Sequence, residues 1–283
     1  MIREDFAAMG TTVTVIAAAP AGAAATRALF AVLERRLSRF LPSSELSHIN
    51  RSAAPTLSVS STMARLLARA GELRERTGGL VDPAVGGAVA AWGYDCTFGI
   101  IRDLEEQPAQ LPTASEWWVS GRTLHRAPGT VLDLGGIAKG WAADLAVESG
   151  RALLVSAGGD VRSVMDDVTV EIMDPWADTV AAPVHLRCGG LATSSVSRRR
   201  WVAGGRPVNH IIDPRTSRPS DSPVVSASAV CATAAEAEAA AKAVLLHGAA
   251  GLAWADRRPW IEAALATWHD GSVYATTGWE IAA

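Results

Sequence analysis

Segments with the hydrophobic period of a strand and segments with that of a helix are mixed along this chain without regular alternation. The stretch TTVTVIAAA, residues 11–19, alternates polar and apolar residues, which is typical of a strand with one buried face. Residues 25–40 instead repeat leucine every fourth position, at Leu29, Leu33 and Leu37, as an amphipathic helix does. The pattern therefore favours an α+β fold, with mixed, largely antiparallel sheets flanked by helices, over a doubly wound parallel sheet.

Turn and capping residues divide the chain into further elements. Ser60 or Ser61 can cap a helix that ends at Gly78-Gly79, where glycine supplies a left-handed stop. The patterns predict a strand entering a turn in TVLDLGG (130–136), a helix in IAKGWAADLAVESG (137–150) and a strand running into a double glycine in ALLVSAGGD (152–160). They also predict short strands and turns over 95–130, strands over 167–173, 183–188 and 223–231, a helix over 234–246, and a hairpin closed by Asp270-Gly271.

Composition indicates an ordered globular protein whose partner is a small molecule. The 283 residues are 49% hydrophobic and 19% charged, and we predict a single domain over 1–283 with room for two lobes. The net charge is −3, and the basic residues are scattered apart from Arg198, Arg199 and Arg200. We therefore predict no nucleic-acid partner, because the required basic surface is missing.

The N-terminus and the cysteines indicate the cellular compartment of the protein. The start, MIREDFAAMGTTVTV, is acidic at Glu4 and Asp5 and lacks the basic start, apolar run and cleavage site of a signal peptide. We expect a cytoplasmic protein with no transmembrane segment. Cys96, Cys188 and Cys231 lie far apart without C-x-x-C spacing, which predicts buried thiols rather than disulfides or zinc ligands.

The stretch DLGGIAKGWAAD, residues 133–144, has the form of an anion-binding turn. Asp133 ends the predicted strand, Gly135-Gly136 form the turn, and a helix starts at Ile137, so that free backbone N–H groups lie at the positive end of the helix dipole. That arrangement suits a phosphate, and Lys139 in the first helical turn favours a negative ligand. The alternative is an ordinary turn with a solvated lysine. The order G-G-x-x-K-G does not match the G-x-G-x-x-G of dinucleotide-binding Rossmann folds.

Three other local patterns carry candidate chemistry. Asp82 lies in an Asp-Pro turn between glycines that let the main chain approach a flat ligand, although a plain turn explains it too. His210 and Asp213 lie three residues apart, and a histidine can act as a base or orient a phosphate, although a lone histidine is more often structural. Glu238 and Lys242 stand at i and i+4 on one helix face, where a simple ion pair is the alternative.

Eight motifs together resemble the flavin transferase family, the ApbE-type FAD:protein FMN transferases. They span roughly residues 7 to 250 in the family's order, and they are AAMGTTVTV, LSRFLPSSELSHIN, GGLVDPAVGGAVAAWGYD, DLGGIAKGWAAD, ALLVSAGGDV, LATSSVSRRRW, NHIIDPRTSRP and AEAEAAAKAVLLHG. The resemblance implies an α+β enzyme that cleaves the pyrophosphate of FAD with Mg²⁺, passes FMN to a threonine or serine hydroxyl of an acceptor flavoprotein, and releases AMP.

The resemblance also assigns residues. His210 would take part in the transfer together with Asp133, and the base for the acceptor hydroxyl is His210 or a nearby carboxylate. The FAD site would be lined by Met9, Phe40, Leu80, Val81, Asp82, Asp133, Lys139 and Ile212. Magnesium would be held by the carbonyl oxygen of Gly136 and by the positions of Glu238 and Lys242. Phe40 could stack on a flavin or adenine ring, and the alternative is a core residue.

Four positions depart from the family pattern. Glu238 and Lys242 stand where the family offers an aspartate and a threonine, and a protonated lysine cannot ligate magnesium because its ammonium has no acceptor. Ser195 and Ser217 stand where glycine is common. Two alternatives to FMN transfer therefore stay open: an FAD pyrophosphatase that yields FMN and AMP, and a flavin-binding protein without catalysis.

Overall fold

The computed structural model describes residues 1–113, 116–177 and 179–279. The chain forms two compact units. The first unit contains Met1–Val32, Ile137–Arg198 and Ser222–Ala283, and the second contains Leu33–Gly136 and Arg199–Asp221. Each unit is thus assembled from separate stretches of sequence, and the single domain over 1–283 stays a prediction.

Strands and helices are interleaved along the described part of the chain. The strands are β1 Ile2–Ala8, β2 Thr11–Ala17, β3 Thr56–Ser58, β4 Trp117–Ser120, β5 Thr123–Arg126, β6 Leu154–Ala157, β7 Asp160–Ser163, β8 Val168–Met173, β9 Val180–Leu186, β10 Gly189–Ser195, β11 Arg200–Ala203, β12 Arg206–Asn209, β13 Ile212–Asp213, β14 Arg218–Pro219, β15 Val224–Cys231, β16 Ile261–Trp268 and β17 Val273–Ala275. The α-helices are α1 Pro20–Leu37, α2 Glu45–Arg51, α3 Ser61–Arg76, α4 Gly86–Ala91, α5 Ala138–Glu148, α6 Ala234–His247 and α7 Gly251–Asp256.

The first unit is built on one antiparallel sheet with the strand order β1-β2-β6-β7-β10-β15-β16-β17, and β8 pairs with β9 beside it. Strand β15 is buried at every position because it lies inside the sheet under helix α6. Helix α5 packs on β6 and β7. An apolar cluster that includes Ile172, Val184, Leu191 and Leu265 joins the sheet to the β8-β9 hairpin.

Helices α5 and α6 approach each other closely in the first unit. A Cβ atom on Gly140 would lie 2.9 Å from the backbone carbon of Ala234, so only glycine permits this approach. The carboxylate of Asp144 accepts hydrogen bonds from the backbone N–H groups of Ala234 and Ala235, at 2.8 and 3.0 Å. These bonds satisfy donors that the start of α6 leaves without intrahelical partners, and they fix α5 relative to α6.

The second unit combines helices α2, α3 and α4 with the sheet β3-β5-β4 and the hairpins β11-β12 and β13-β14. Its apolar cluster contains Trp92, Tyr94, Trp201 and Ile212. The indole N–H of Trp92 donates to the carbonyl of Ser217, and that of Trp201 donates to the carbonyl of Trp92. The buried aromatic residues are thus tied to the backbone of the loops that carry the candidate residues.

The α+β fold and most of the predicted elements are confirmed. Strand β2, helices α3, α5 and α6, strands β6, β8, β9 and β15, and the β16-β17 hairpin lie where the patterns place them. Ser60 is the N-cap of α3, and Gly78 and Gly79 have φ angles of 63° and 84°. The helix predicted over residues 25–40 instead spans Pro20–Leu37, and helices α2, α4 and α7 were not predicted.

The predicted strand in TVLDLGG is wrong, because its backbone groups have other partners. The N–H and C=O of Leu132 bond to the side-chain amide of Asn50, and the N–H of Asp133 donates to the carbonyl of Pro83. The prediction of three buried thiols is also wrong in part, since Cys231 is buried but Cys188 is exposed.

In the described ranges, no helix combines the length and the apolar character needed to cross a membrane. The cytoplasmic location stays a prediction.

Candidate functional site

The first unit holds a cluster of two lysines and two carboxylates, Lys139, Asp160, Glu238 and Lys242, which we call the lysine cluster. The ammonium nitrogen of Lys139 lies 3.1 Å from Asp160 Oδ2, and that of Lys242 lies 3.3 Å from Glu238 Oε1. All four side chains are less than one fifth exposed. Lys139 is therefore not the solvated lysine of the alternative reading, and its formal charge is balanced by an aspartate.

Three elements place the lysine cluster. Lys139 lies in the first turn of α5, whose N-cap residue, Ile137, offers no side-chain hydrogen bond to the helix start. Asp160 begins β7 directly after the turn of Gly158 and Gly159, both of which have positive φ angles that favour glycine. Glu238 and Lys242 follow one another by one turn of α6, as their sequence spacing predicts. Because Asp144 holds α5 against α6, the two ion pairs keep a fixed geometry.

The two ion pairs of the lysine cluster interact electrostatically. Burial raises the pKa of Asp160 to about 6; Lys139 and Lys242 oppose this rise, whereas the nearby negative charge of Glu238 adds to it. Glu238 Oε2 is itself buried and has no hydrogen-bond partner among the described residues. A buried carboxylate oxygen without a partner is costly, so Glu238 retains an unused acceptor.

The magnesium ion implied by the resemblance can be tested against these residues. Mg²⁺ takes oxygen ligands at about 2.0–2.1 Å in a near-octahedral array. Glu238 Oε1 instead faces an ammonium group, which carries positive charge and has no lone pair for a metal. The side chains present at Glu238 and Lys242 therefore do not fit magnesium. Gly136 belongs to the second unit, where it is half-buried.

The second unit holds a cluster around Arg39, which we call the arginine cluster. Arg39 Nε lies 2.9 Å from Asp133 Oδ2, and both side chains are mostly buried. The guanidinium carbon lies 4.2 Å from the ring centre of Phe40 and 4.7 Å from that of Tyr94, which are cation–π distances. Arg39 Nη2 is buried without a hydrogen-bond partner among the described residues. The ring of His210 meets the Tyr94 ring edge-on, with 6.5 Å between the centroids.

The loops that carry the arginine cluster are held by hydrogen bonds between side chains and the backbone. Asp133 Oδ1 accepts from the N–H of Gly135 at 2.7 Å, so this aspartate orders the turn and holds Arg39 at the same time. The side chain of Asn209, the residue before His210, bonds to the carbonyl of Ser220 and to the N–H of Ile211. His210 is therefore presented by a fixed bend at the end of β12.

Of the other residues predicted to line FAD, four lie in the second unit. Leu80, Val81 and Ile212 are buried. Asp82 accepts from the indole of Trp117 at 2.8 Å, and its Oδ2 lies 2.7 Å from Arg74 Nε. The Asp82 side chain thus holds its own loop together, which matches the plain-turn alternative for this carboxylate.

Met9 lies in the first unit, in the two-residue turn that joins β1 to β2. Met9 and Gly10 both have positive φ angles, 50° and 69°, as a type I′ hairpin turn requires.

Ser217, at a position where the family commonly has glycine, also has a positive φ angle, 56°. Ser195 instead lies in β10, where its backbone is extended. Of these two serines, Ser217 therefore occupies a conformation that favours glycine, and Ser195 does not.

The structure groups the predicted residues by unit. Lys139, Glu238 and Lys242 come together in the first unit, and Phe40, Asp133 and His210 come together in the second. The sequence reasoning missed Arg39, Tyr94 and Asp160. The sequence does contain an indication of Asp160, because this carboxylate directly follows the double glycine of a tight turn and begins the next strand. Arg39 gave no local signal, since its partner Asp133 lies 94 residues further along the chain.

A cleft of about 530 Å³ in the second unit is lined in part by Arg35, Arg36, His48 and Arg122. None of the predicted site residues lines it. The clusters described above, which combine burial with paired charges, are better candidates for chemistry than this open basic surface.

The fold is that of flavin transferases of known structure. The chain aligns with the ApbE protein of Thermotoga maritima at a TM-score of 0.83 and 24% identity, covering 98% of this chain and 97% of that one. It aligns with the flavin transferase ApbE of Vibrio cholerae at a TM-score of 0.77 and 24% identity, with the same coverage. The model of the ApbE family matches residues 9–265, so the chain belongs to the ApbE family.

Curated relatives carry the name FAD:protein FMN transferase. The protein of Rhodobacter capsulatus is 35% identical over 250 residues, which cover 82% of this chain and 48% of that protein. The protein of Salmonella typhimurium is 29% identical over 236 residues, which cover 71% of this chain and 64% of that protein. The chain thus spans about half the length of the first relative and less than two thirds of the second.

Proposed function

We propose that this protein is an FAD:protein FMN transferase, which moves FMN from FAD to a threonine or serine hydroxyl of an acceptor flavoprotein. The observation that carries the proposal is family membership across residues 9–265 with Asp133, Lys139 and His210 in place. The buried lysine cluster supports it, because phosphoryl transfer depends on holding the reacting groups in line and neutralising the charge that develops on them.

In the proposed reaction, the acceptor hydroxyl oxygen forms a bond to the FMN phosphorus of FAD. The bond from that phosphorus to the bridging oxygen breaks, and AMP leaves with the bridging oxygen. The hydroxyl proton passes to a base, for which we propose His210. Asp133 is proposed to take part by ordering the turn at Gly135. Lys139, in the first turn of α5, supplies positive charge to the diphosphate, and so do the N–H groups at the start of this helix.

FAD binding is assigned to Met9, Phe40, Leu80, Val81, Asp82, Asp133, Lys139 and Ile212, as the family resemblance predicts. To these we add Arg39, whose Nη2 is buried and retains an unused donor. A guanidinium held over two rings can donate to a phosphate or carbonyl oxygen without reorganising. The magnesium ion of the resemblance stays a prediction that the ammonium of Lys242 opposes.

One experiment tests the proposed function against both alternatives. The protein is incubated with FAD and a candidate acceptor flavoprotein, with and without added magnesium, while AMP release and acceptor mass are measured. Transfer predicts AMP together with a mass gain of one FMN group on the acceptor, and no gain on an acceptor whose modified hydroxyl residue is replaced by alanine. Release of AMP without a mass gain would identify an FAD pyrophosphatase. Tight FAD binding with neither product would identify a flavin-binding protein.

A further inference from the structure

The chain contains only two lysines among its 26 lysine and arginine residues, and both belong to the lysine cluster. Elsewhere the chain uses arginine for positive charge. Lysine differs from arginine in carrying a compact, strongly hydrated point charge on a flexible stem, whereas the guanidinium is a broad planar fork. The use of lysine at these two positions alone indicates that they require a small cation.

We propose that the ammonium of Lys242, held by Glu238, takes the place of a divalent cation in this protein. The inference rests on the proposed function for its ligand, which is the diphosphate of a dinucleotide. The ammonium of Lys242 lies 3.3 Å from Glu238 Oε1, and it provides fixed positive charge where the resemblance implies a metal ion.

The surroundings of Glu238 explain why an ammonium suits this position. Glu238 is 6% exposed, and its neighbours on α6 are the buried alanines Ala237, Ala239, Ala240 and Ala241. These side chains carry no charge, and the ammonium of Lys242, one turn further along α6, is the positive partner of the carboxylate. A Mg²⁺ ion beside the ammonium of Lys242 would be repelled by its like charge, and a Mg²⁺ ion that displaced the ammonium would leave this mostly buried cation without its carboxylate partner.

The charges of the lysine cluster also favour an ammonium group over a metal ion beside Glu238. The formal charges of the two ammonium groups and the two carboxylates sum to zero. The charges of Glu238 and Lys242 both act on the carboxyl group of Asp160. A diphosphate approaching Lys139 and Lys242 would attract the ammonium groups away from their carboxylates without any change in metal content. Glu238 therefore acts as a positioning residue, which keeps Lys242 in place until the ligand arrives.

The two lysines allow a direct test on the full-length protein. Protein with ¹³C-labelled lysine gives two side-chain signals by NMR, and Lys242→Arg removes one of them and so assigns both. Paramagnetic Mn²⁺, used alone as the probe, broadens signals of nuclei near its binding site. We expect no selective broadening of the Lys242 signal at micromolar Mn²⁺. Selective broadening that disappears in Glu238→Gln would overturn the inference.

The second arm measures FAD affinity by flavin fluorescence, with EDTA or with Mg²⁺. We expect equal affinity in both, and a loss of about 10- to 100-fold in Lys242→Met, since a charged contact to phosphate is removed. Arg257→Met, a change at an exposed basic residue of the same unit, should keep the wild-type affinity. An affinity that falls more than about tenfold in EDTA would contradict the inference.

Lys242→Thr provides the reciprocal test, because it places an oxygen ligand one turn from Glu238. This variant should gain Mn²⁺ binding that the wild type lacks, and thermal unfolding confirms that each variant is folded. Failure of the proposed function gives a different pattern, namely no transfer of FMN to the acceptor under any condition, whether or not FAD binds. The Mn²⁺ arm uses no FAD, so it decides the metal question in that case as well.

Discussion

Arg39 and Asp133 form a mostly buried ion pair, with Arg39 Nε 2.9 Å from Asp133 Oδ2, although the two residues are 94 positions apart in the chain. The pair connects the loop after α1 to the turn before α5, and it stands beside the rings of Phe40 and Tyr94. A pair of this kind contributes specific geometry more than net stability, because two charges leave water when it forms.

Loss of Arg39 should destabilise the protein. Arg39→Met leaves Asp133 mostly buried without its positive partner, and we expect the free energy of unfolding to fall by about 2–3 kcal/mol. Arg39→Lys should restore little of this loss, since an ammonium lacks the planar face that lies on the two rings. Urea unfolding measures both variants.

The matched control is Arg36, which makes an exposed ion pair with Glu45 at 3.4 Å. Arg36→Met should change the free energy of unfolding by less than about 1 kcal/mol, as exposed pairs do. If both substitutions lowered the free energy of unfolding equally, the contacts of the Arg39 guanidinium with Asp133 and the two rings would not contribute more to stability than an exposed ion pair does.

His210→Ala should lower the transfer rate and spare FAD affinity. A general base contributes about 100- to 10,000-fold to a rate, and it contributes little to ground-state binding. AMP release and acceptor mass report the rate, and flavin fluorescence reports the affinity. His269→Ala, at an exposed histidine of the first unit, should behave as wild type. Unchanged turnover in His210→Ala would remove this histidine from the mechanism.

Asp144 should make stability depend on pH. Burial raises the pKa of its carboxyl group from 3.8 to about 6, although the N–H groups of Ala234 and Ala235 favour the carboxylate. The folded chain therefore holds this proton more tightly than the unfolded chain does. The resulting stability is fully present below about pH 4 and is lost as the pH rises through about 6, a change of about 3 kcal/mol.

Urea unfolding between pH 4 and 7 measures this dependence. Asp144→Asn should show a smaller fall in stability with rising pH than the wild type, with part of the fall retained because the pKa of Asp160 is also raised. Asp256→Asn, at an exposed carboxylate, should keep the wild-type slope. An Asp144→Asn variant with the full wild-type slope would contradict the assignment.

Two glycine-to-alanine substitutions in helices should have opposite signs. Gly140→Ala puts a Cβ atom 2.9 Å from the backbone carbon of Ala234, so α5 and α6 must separate and stability should fall by about 2 kcal/mol. Gly71→Ala, inside α3, meets nothing closer than 3.9 Å and should raise stability by about 0.5–1 kcal/mol. Thermal unfolding compares the two, and a stabilised Gly140→Ala variant would refute the close approach of α5 and α6.

The sequence predicts elements that are specified locally. The Ser60 cap, the Gly78-Gly79 stop and the Asp270-Gly271 turn each place a boundary through nearby residues, and each is confirmed. The segment around Leu132 has the composition of a strand but bonds to Asn50, 82 residues away. No local pattern contains that information, so its irregular backbone could not be predicted.

The candidate residues show the same division. The ion pair of Glu238 and Lys242 follows from their helical spacing, and the structure confirms it. The pairing of Lys139 with Asp160 requires the contact of α5 with β7, and the pairing of Arg39 with Asp133 requires the fold of the second unit. Sequence patterns therefore identify candidate side chains, whereas their partners depend on tertiary structure.

The positive charge that Lys242 places on α6 does not have to be supplied by free ions in the cell. An ammonium group that belongs to the polypeptide is present from the moment the helix forms, and it neither exchanges with bulk ions nor leaves during dilution. On the proposed role of Lys242, starvation for magnesium would leave this protein competent.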